Sequence, residues 1–553
     1  MTSAHLRHHP RVVIIGAGPT GLALAIELGS RSIPCLVIER TERGGYAPRA
    51  KTTHVRTREH LRRWGIAEKL AAASPFGVDY PSAVHFVTRL GGWPLAKFED
   101  ALNCSPARDE RYNEHGQWIP QYKLEAVLRD HAQSLPDVTI RFGQEYRGFT
   151  QDEDGVRVDI HDSASGHDWT VKADYLVGAD GARSLVRDTI GAKMVGTYGL
   201  SRNYNIIFEA PGLAEAHPQG PGIMYWQVNA DTPSLIGRMD EGDLWYFMPT
   251  MLPPGVTLSD EEALDLIRRS TGIDMPYRIL SSDEWVASRL LADHYRLGRV
   301  FLAGDACHLH PPFGGFGMNM GVSDAVDLGW KLAARLQGWG GEALLGSYEA
   351  ERRPVHEMVL DEAEGNHSVL ANQLYRPGME EDSAEGARIR EEMSALIREV
   401  KYREFNALGI VLGYRYLGSP IIADDGSSDG WKMARDYVPS AAPGALAPHR
   451  WLDDGQSLYD LFGADFTLLV MNEAAAQEAE AIVRDAQEAG IPLTLLSLPQ
   501  AGLEELYEAR MALIRPDQHV AWRGDHRPAR AILEQITGHG AVPVHGQEAR
   551  ASA

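Results

Sequence analysis

Four apolar residues in a row, Val12-Val13-Ile14-Ile15, read as a buried strand, and Thr20 to Ser30, with Leu22, Ala25, Ile26 and Leu28, reads as the helix behind it. Cys35-Leu36-Val37-Ile38 adds a second strand. The pattern of an apolar run broken by a glycine and an acid recurs at Asp174 to Asp180 and at Arg299 to Asp305. After the second recurrence, Gly321 to Gln337 places Val322, Ala325, Leu328, Leu332 and Leu336 at the spacing of an amphipathic helix. From about Tyr198 to Trp285 the period shortens to the alternating runs Asn205–Glu209, Ile223–Trp226, Leu235–Arg238 and Leu244–Met248, broken by Gly, Pro and Asp, which predict a sheet. A polar linker, Asp424 to Gly430, precedes a last region. There, strand-like Phe466–Val470, helix-like Glu473–Glu488, Leu493–Leu496 and His519–Trp522 predict a small α/β unit. The fold class is therefore α/β, or α+β overall.

The glycines sit where the first strand turns into its helix, as Gly16-Ala17-Gly18-Pro19-Thr20-Gly21. Gly16 permits a tight turn, Gly18 lets a pyrophosphate approach the backbone, and Gly21 lets the helix pack close to the sheet. Glu39, at the end of the next strand, is placed to accept from an adenosine ribose hydroxyl. A lone glycine fingerprint is weak; one framed by strand, helix and acid predicts dinucleotide binding. Asp180-Gly181 taken by itself is a turn. Gly304-Asp305 ends a strand and leads into Pro311-Pro312-Phe313-Gly314-Gly315-Phe316-Gly317-Met318-Asn319. The helix after that loop offers free N–H groups and a partial positive charge.

Composition narrows the class. At 553 residues and 44% hydrophobic content the chain can bury more than one core, with length for three or four domain-sized units. With 76 acidic against 54 basic residues the net charge is −22, which repels nucleic acid and anionic membrane surfaces. No apolar run approaches the roughly 20 residues of a membrane span, and the His-rich start lacks the apolar core of a signal peptide. Cys35, Cys104 and Cys307, three and widely spaced, make neither a disulfide framework nor a cysteine-based zinc site. A cytoplasmic protein is expected.

Together the three glycine and acid segments resemble the single-component FAD-dependent aromatic hydroxylases, the class A flavoprotein monooxygenases, over nearly the whole chain. Ile119–Glu125, Phe405–Ile410, Ser419–Ile422 and Arg515–Arg523 resemble the phenol hydroxylase and 2,4-dichlorophenol hydroxylase branch, and are similar also to the indolocarbazole enzyme RebC. The resemblance implies noncovalent FAD, NADH or NADPH as co-substrate, and O2 activated as a flavin C4a-hydroperoxide that hydroxylates a phenolic or other electron-rich ring. A tailoring oxygenase acting on a larger polycyclic substrate, and a non-catalytic FAD-binding protein, stand as alternatives. It also implies a discontinuous Rossmann-like FAD-binding domain (1–85, 111–197 and 286–425 with a helical extension) and an inserted β-sheet substrate domain (86–110 and 198–285). The remainder, 426–553, is implied to be thioredoxin-like. It lacks cysteine, so packing or oligomer contact is its expected role, in a homodimer or a monomer.

Residue by residue, the resemblance implies cofactor contacts at Gly16, Gly18, Pro19, Thr20, Gly21, Glu39, Arg40, Arg49, Gln121, Asp180, Asp305, Pro312, Gly315, Gly317, Met318 and Asn319. Arg238 and Tyr246, eight apart across a predicted hairpin, match an Arg and a Tyr that face substrate in the phenol hydroxylase branch. In that role Tyr relays a phenolic proton and Arg favours the phenolate; otherwise they are a surface Arg and a core Tyr. At Lys51 the branch has an acid, which leaves an anionic substrate or a base elsewhere, such as His54; both residues also read as solvated polar positions. Tyr225, Trp226, Pro311 and Phe313 are candidates for the aromatic pocket, although alternate strand residues face opposite ways, so part of this set belongs to the core. His308-Leu309-His310 lacks a third ligand nearby, and no metal is expected.

Overall fold

In the computed structural model, which describes residues 9–42, 50–250, 252, 256–499 and 502–540, the three segments come from neighbouring strands. The strand order of the six-stranded sheet is Arg296–Leu297, Val300–Leu302, Tyr175–Gly178, Val12–Ile15, Cys35–Ile38, Val138–Arg141. All pairs are parallel except the first. Buried on both faces, these strands are unbroken apolar runs rather than alternating ones. The helix Pro19–Gly29 packs against both the helix Gln121–Ser134 and the helix Phe316–Gln337. At the second crossing a Cβ on Gly329 would lie 2.6 Å from the Glu27 side chain, so glycine sets the approach.

Glu27 is buried there as a charge hub. It accepts from Arg31 Nε at 2.9 Å, Arg63 Nη2 at 2.6 Å and Trp64 Nε1 at 2.9 Å. Burial raises its pKa, but Arg63 and Arg31 outweigh it and hold the carboxyl at about 2.

The inserted sheet has eight strands, in the order His308–Leu309, Arg278–Ala292, Met194–Glu209, Leu244–Pro249, Ser234–Asp240, Met224–Gln227, Val84–Val87, Pro94–Phe98. It reaches beyond 198–285 because its two long strands run back into the FAD-binding half. One face is covered by the helix Asp260–Thr271, which Ser259 and Glu262 open with a capping box and Gly272 (φ 65°) closes. Tyr225, Ile236, Trp245, Phe247, Ala263 and Ile267 fill that layer. The opposite face carries Trp226, Leu235 and Tyr246 against Phe313 and the helix Ala384–Phe405.

The C-terminal sheet runs Leu493–Ser497, Phe466–Val470, Met511–Ile514, Val520–Gly524. Its first pair is parallel, connected through the helix Ala476–Glu488, and the rest is antiparallel. Arg515 fastens this unit to the FAD-binding half, donating to Glu351 at 2.6 Å and Asp327 at 3.1 Å, while Lys331 donates to Asp327 at 2.7 Å.

Candidate active site

The three segments meet at the C-terminal ends of adjacent parallel strands, where open α/β sheets bind ligands. Gly16 has φ 105°, and a Cβ there would sit 2.3 Å from the Ala179 carbonyl oxygen, so the first and second segments touch only because it is glycine. Thr20 joins the third: its hydroxyl lies 2.5 Å from where Gly304 would carry a Cβ and 2.3 Å from where Gly321 would. Gly18 caps the helix Pro19–Gly29 in extended conformation with no side-chain cap, leaving its first-turn N–H groups for an anion.

Acids secure these turns. Glu39 accepts from the Ala17 amide at 2.9 Å and from Thr41 at 3.1 Å. Asp180 accepts from the Leu185 and Val186 amides at 2.8 and 3.2 Å and from the Ser184 hydroxyl, so its carboxylate starts the helix Leu185–Thr189. Asp305 lies in the single turn Gly304–Ala306, and Arg40 is exposed beside Glu39. Gln121 accepts from the Ala50 amide at 3.0 Å, and Arg49 lies outside the described residues.

The helix expected from Gly321 starts five residues earlier, at Phe316, because Gly315 is left-handed (φ 69°) and turns Phe316-Gly317-Met318-Asn319 into its first turn. No side chain caps this end, and a Cβ on Gly317 would meet nothing within 4 Å. Pro312 is partly buried where this loop approaches the turn. Asn319, expected at the cofactor, is a buried clasp: its Nδ2 donates to the Thr52 and Gly315 carbonyls at 3.0 and 2.7 Å. Its Oδ1 accepts from the His54 amide and Thr57 hydroxyl at 2.8 and 2.7 Å.

His54 Nε2 is 2.9 Å from the Gly314 carbonyl and therefore donates. Burial, partly offset by that bond, pulls its pKa down to about 4. His54 thus holds the loop and is a poor base near neutrality, which corrects one expected role.

The inserted sheet closes the other side. Phe313 stands 5.6 Å from Trp226 between ring centroids, and Pro311 is buried at the start of that loop. Tyr246 is buried, 6.2 Å from Trp118, and its hydroxyl donates to the Ile223 carbonyl at 3.2 Å. Lys51 Nζ lies 4.3 Å from the Tyr246 ring centroid. Two expectations fail here for one reason, strand register. Gly237 pairs with Tyr246 and Arg238 with Trp245, so Arg238 points to the layer opposite Tyr246 and sits over Phe76 at 4.4 Å. Tyr225 likewise faces away, stacked on His85 at 5.0 Å.

Lys401 was not legible as a site residue. Its Nζ is 4.1 Å from the Trp226 ring centroid and donates to Glu404 at 2.8 Å; in sequence it belongs to a charged helix end that reads as solvated.

Among the described residues one group has metal-like spacing: donor atoms of Cys307, His308, Asp324 and His356 lie within 4.8 Å of one another. Asp324, however, accepts from His308 and His356 at 2.9 Å, Arg352 at 2.8 Å and the Gly304 amide at 3.0 Å. The Arg352 guanidinium already supplies the positive charge, and the cluster anchors the Gly304 turn.

Two uncapped helix starts, an acid at the second strand end and glycines that side chains cannot replace fit a flavin dinucleotide. In line with this geometry, residues 10–363 match the sequence profile of the FAD binding domain family and residues 440–539 that of the aromatic-ring hydroxylase C-terminal family. A 4-methyl-5-nitrocatechol 5-monooxygenase of Burkholderia sp is 33% identical, covering 93% of each chain. A putative polyketide hydroxylase of Streptomyces halstedii is 32% identical, again over 93% of each chain. Among solved structures, RebC with bound 7-carboxy-K252c superposes with a TM-score of 0.88 at 34% identity, over 96% of this chain and 99% of that one.

Proposed function

The chain belongs to the FAD-binding aromatic-ring hydroxylases and is an FAD-dependent monooxygenase; within that family we propose that it hydroxylates a phenolic ring held between its glycine loop and the inner face of its inserted sheet. The observation that carries the reading is the meeting of Phe313, from the loop before the helix Phe316–Gln337, with Trp226 of the sheet. Bound FAD supplies hydride acceptance from NADH or NADPH and activation of O2. The protein supplies the rest. The uncapped N-terminus at Phe316 presents N–H groups and a positive dipole to negative charge in the cofactor ring. Trp226, Phe313 and Trp118 are buried and exclude water from the ring's surroundings. Tyr246, whose hydroxyl proton is committed to Ile223, offers its oxygen lone pairs to a substrate hydroxyl.

A second reading, a polycyclic substrate, draws on the similarity to the polyketide hydroxylase and to RebC with 7-carboxy-K252c. The FAD-loaded enzyme with NADH or NADPH and a panel of one-ring phenols and polycyclic phenols tests both. Substrate-stimulated reductant oxidation with a hydroxylated product supports the reading, and the responding class chooses between the substrates. Oxidation that no aromatic compound stimulates contradicts it. We also assign the protein to the cytoplasm, where its three buried, unpaired thiols persist; among the described residues, no helix is long and apolar enough to cross a membrane.

A further inference from the structure

Of the titratable groups on or beside the inner face of the sheet, most are committed. His54 donates to Gly314, and the Tyr246 hydroxyl donates to a backbone carbonyl, which cannot carry a proton onward. Lys401 is bound to Glu404 at 2.8 Å and to the Asn366 carbonyl at 3.4 Å. Arg238 is in the other layer. Lys51 has neither an ion pair nor a side-chain hydrogen bond with the described residues; Arg238 is likewise unpaired but lies over Phe76, and His367 lies 5.4 Å from Phe313, whereas the Lys51 amine contacts the face of the Tyr246 ring at 4.3 Å.

The backbone holds Lys51 in place. The Ile119 amide donates to its carbonyl at 2.8 Å, and the next residue, Thr52, is bound through its carbonyl to Asn319. The backbone at Lys51 is therefore tied to the segment that meets the helix Phe316–Gln337, and its amine lies against Tyr246 of the sheet that carries Trp226. Lys51 is half-buried beside Tyr246.

Resting on the phenolic reading above, we propose that Lys51 takes the proton of the substrate's hydroxyl and then pairs with the phenolate. The O–H bond breaks, an N–H bond forms on Nζ, and the electron pair stays on the substrate oxygen. Delocalised into the ring, it raises nucleophilicity at the ortho and para carbons, where the monooxygenase reaction delivers its oxygen atom. The C–H bond at the carbon that received the oxygen then breaks and its proton leaves to solvent, and as the ring regains aromaticity the ammonium returns its own proton to the original hydroxyl oxygen, so Lys51 is unchanged over a cycle.

The surroundings suit both halves of the cycle. Burial pulls the Lys51 pKa down to about 8, which brings the free amine within reach at mildly alkaline pH. Tyr246 from the sheet is the titratable group facing it, and Tyr246's own pKa is pushed up by burial, so it stays a neutral ring. His54, on the same segment, is neutral as well. Once protonated, the ammonium gains from the Tyr246 ring face and from the phenolate beside it.

The test uses FAD-loaded wild type, Lys51→Met and Lys51→Arg, with 4-methyl-5-nitrocatechol as the probe because its ionisation is visible by absorbance. In the wild type the bound probe should ionise at least about one pH unit below the free compound, and Lys51→Met should raise that midpoint by about one unit or more. Hydroxylation of a non-nitrated catechol, whose hydroxyls stay protonated in free solution near neutral pH, should fall in Lys51→Met by about 10²-fold or more, with probe affinity largely kept. Lys51→Arg, which keeps the charge but accepts no proton, should hold the low midpoint while recovering little turnover. It also stands in if Lys51→Met fails to fold. A wild-type midpoint and rate in either variant would overturn the role of Lys51 while leaving the phenolic reading intact. A wild type that hydroxylates no phenol would overturn the phenolic reading itself.

Discussion

The Oδ1 of Asn319 accepts the backbone N–H of His54 at 2.8 Å, across 265 positions of sequence, and so ties the first turn of the flavin helix to the segment that carries Lys51. Asn319→Leu keeps the size but leaves the His54 amide and the Thr57 hydroxyl without their acceptor, at about 1–3 kcal/mol each. The expected result is a lower unfolding temperature and faster FAD loss together, read by thermal unfolding and by flavin fluorescence on dilution. A variant that loses stability but keeps wild-type FAD affinity would show the clasp to be structural only.

Gly16→Ala should strip the protein of FAD. The added methyl would lie 2.3 Å from the Ala179 carbonyl oxygen in a backbone with φ 105°, so the first two cofactor segments must separate. The check is the flavin-to-protein absorbance ratio after purification, and full occupancy contradicts the assignment.

Tyr246→Phe and Arg238→Met should part company. Tyr246 faces Lys51, so loss of its hydroxyl should slow hydroxylation moderately and divert reductant to hydrogen peroxide. Arg238 is in register with Trp245 and sits over Phe76, and Arg238→Met should leave the ratio of product to reductant consumed near that of the wild type. Equal defects in both would restore the paired role that their spacing implies.

Lys51 should also trade stability for chemistry. Its folded pKa of about 8 lies below its ordinary value, so the unfolded chain binds more protons between about pH 8 and 10.5 and stability rises with pH across that window. Below pH 8 the penalty is complete. Lys51→Met should therefore unfold at higher temperature than the wild type at pH 7, by an amount corresponding to no more than about 3 kcal/mol, and the gap should close as pH approaches 10.5. A gap that is constant with pH would mean that the amine is not desolvated.

How far the sequence discloses this site depends on the physics of each element. The strands Val12–Ile15, Tyr175–Gly178 and Val300–Leu302 announce themselves as short apolar runs ending in glycine, and their adjacency follows from one cofactor needing all three. The side on which Arg238 falls does not, because a spacing of eight spans a hairpin whose register is set by the turn and by a bulge between Arg238 and Asp240. The start of the flavin helix was hidden by Gly314-Gly315, which read as loop until the left-handed Gly315 is seen. Lys401 is hidden by distance, since nothing local tells a buried lysine from a solvated one on a helix of mixed charge.

The central claim, insertion of one oxygen atom into a phenolic ring, is tested most directly by turnover under 18O2 with NADH or NADPH and a phenol that stimulates reductant oxidation. Mass spectrometry should show a product heavier by one 18O, formed in near-stoichiometric amount with the reductant consumed. Reductant oxidation that yields only labelled hydrogen peroxide, with the phenol recovered unchanged, would contradict the account.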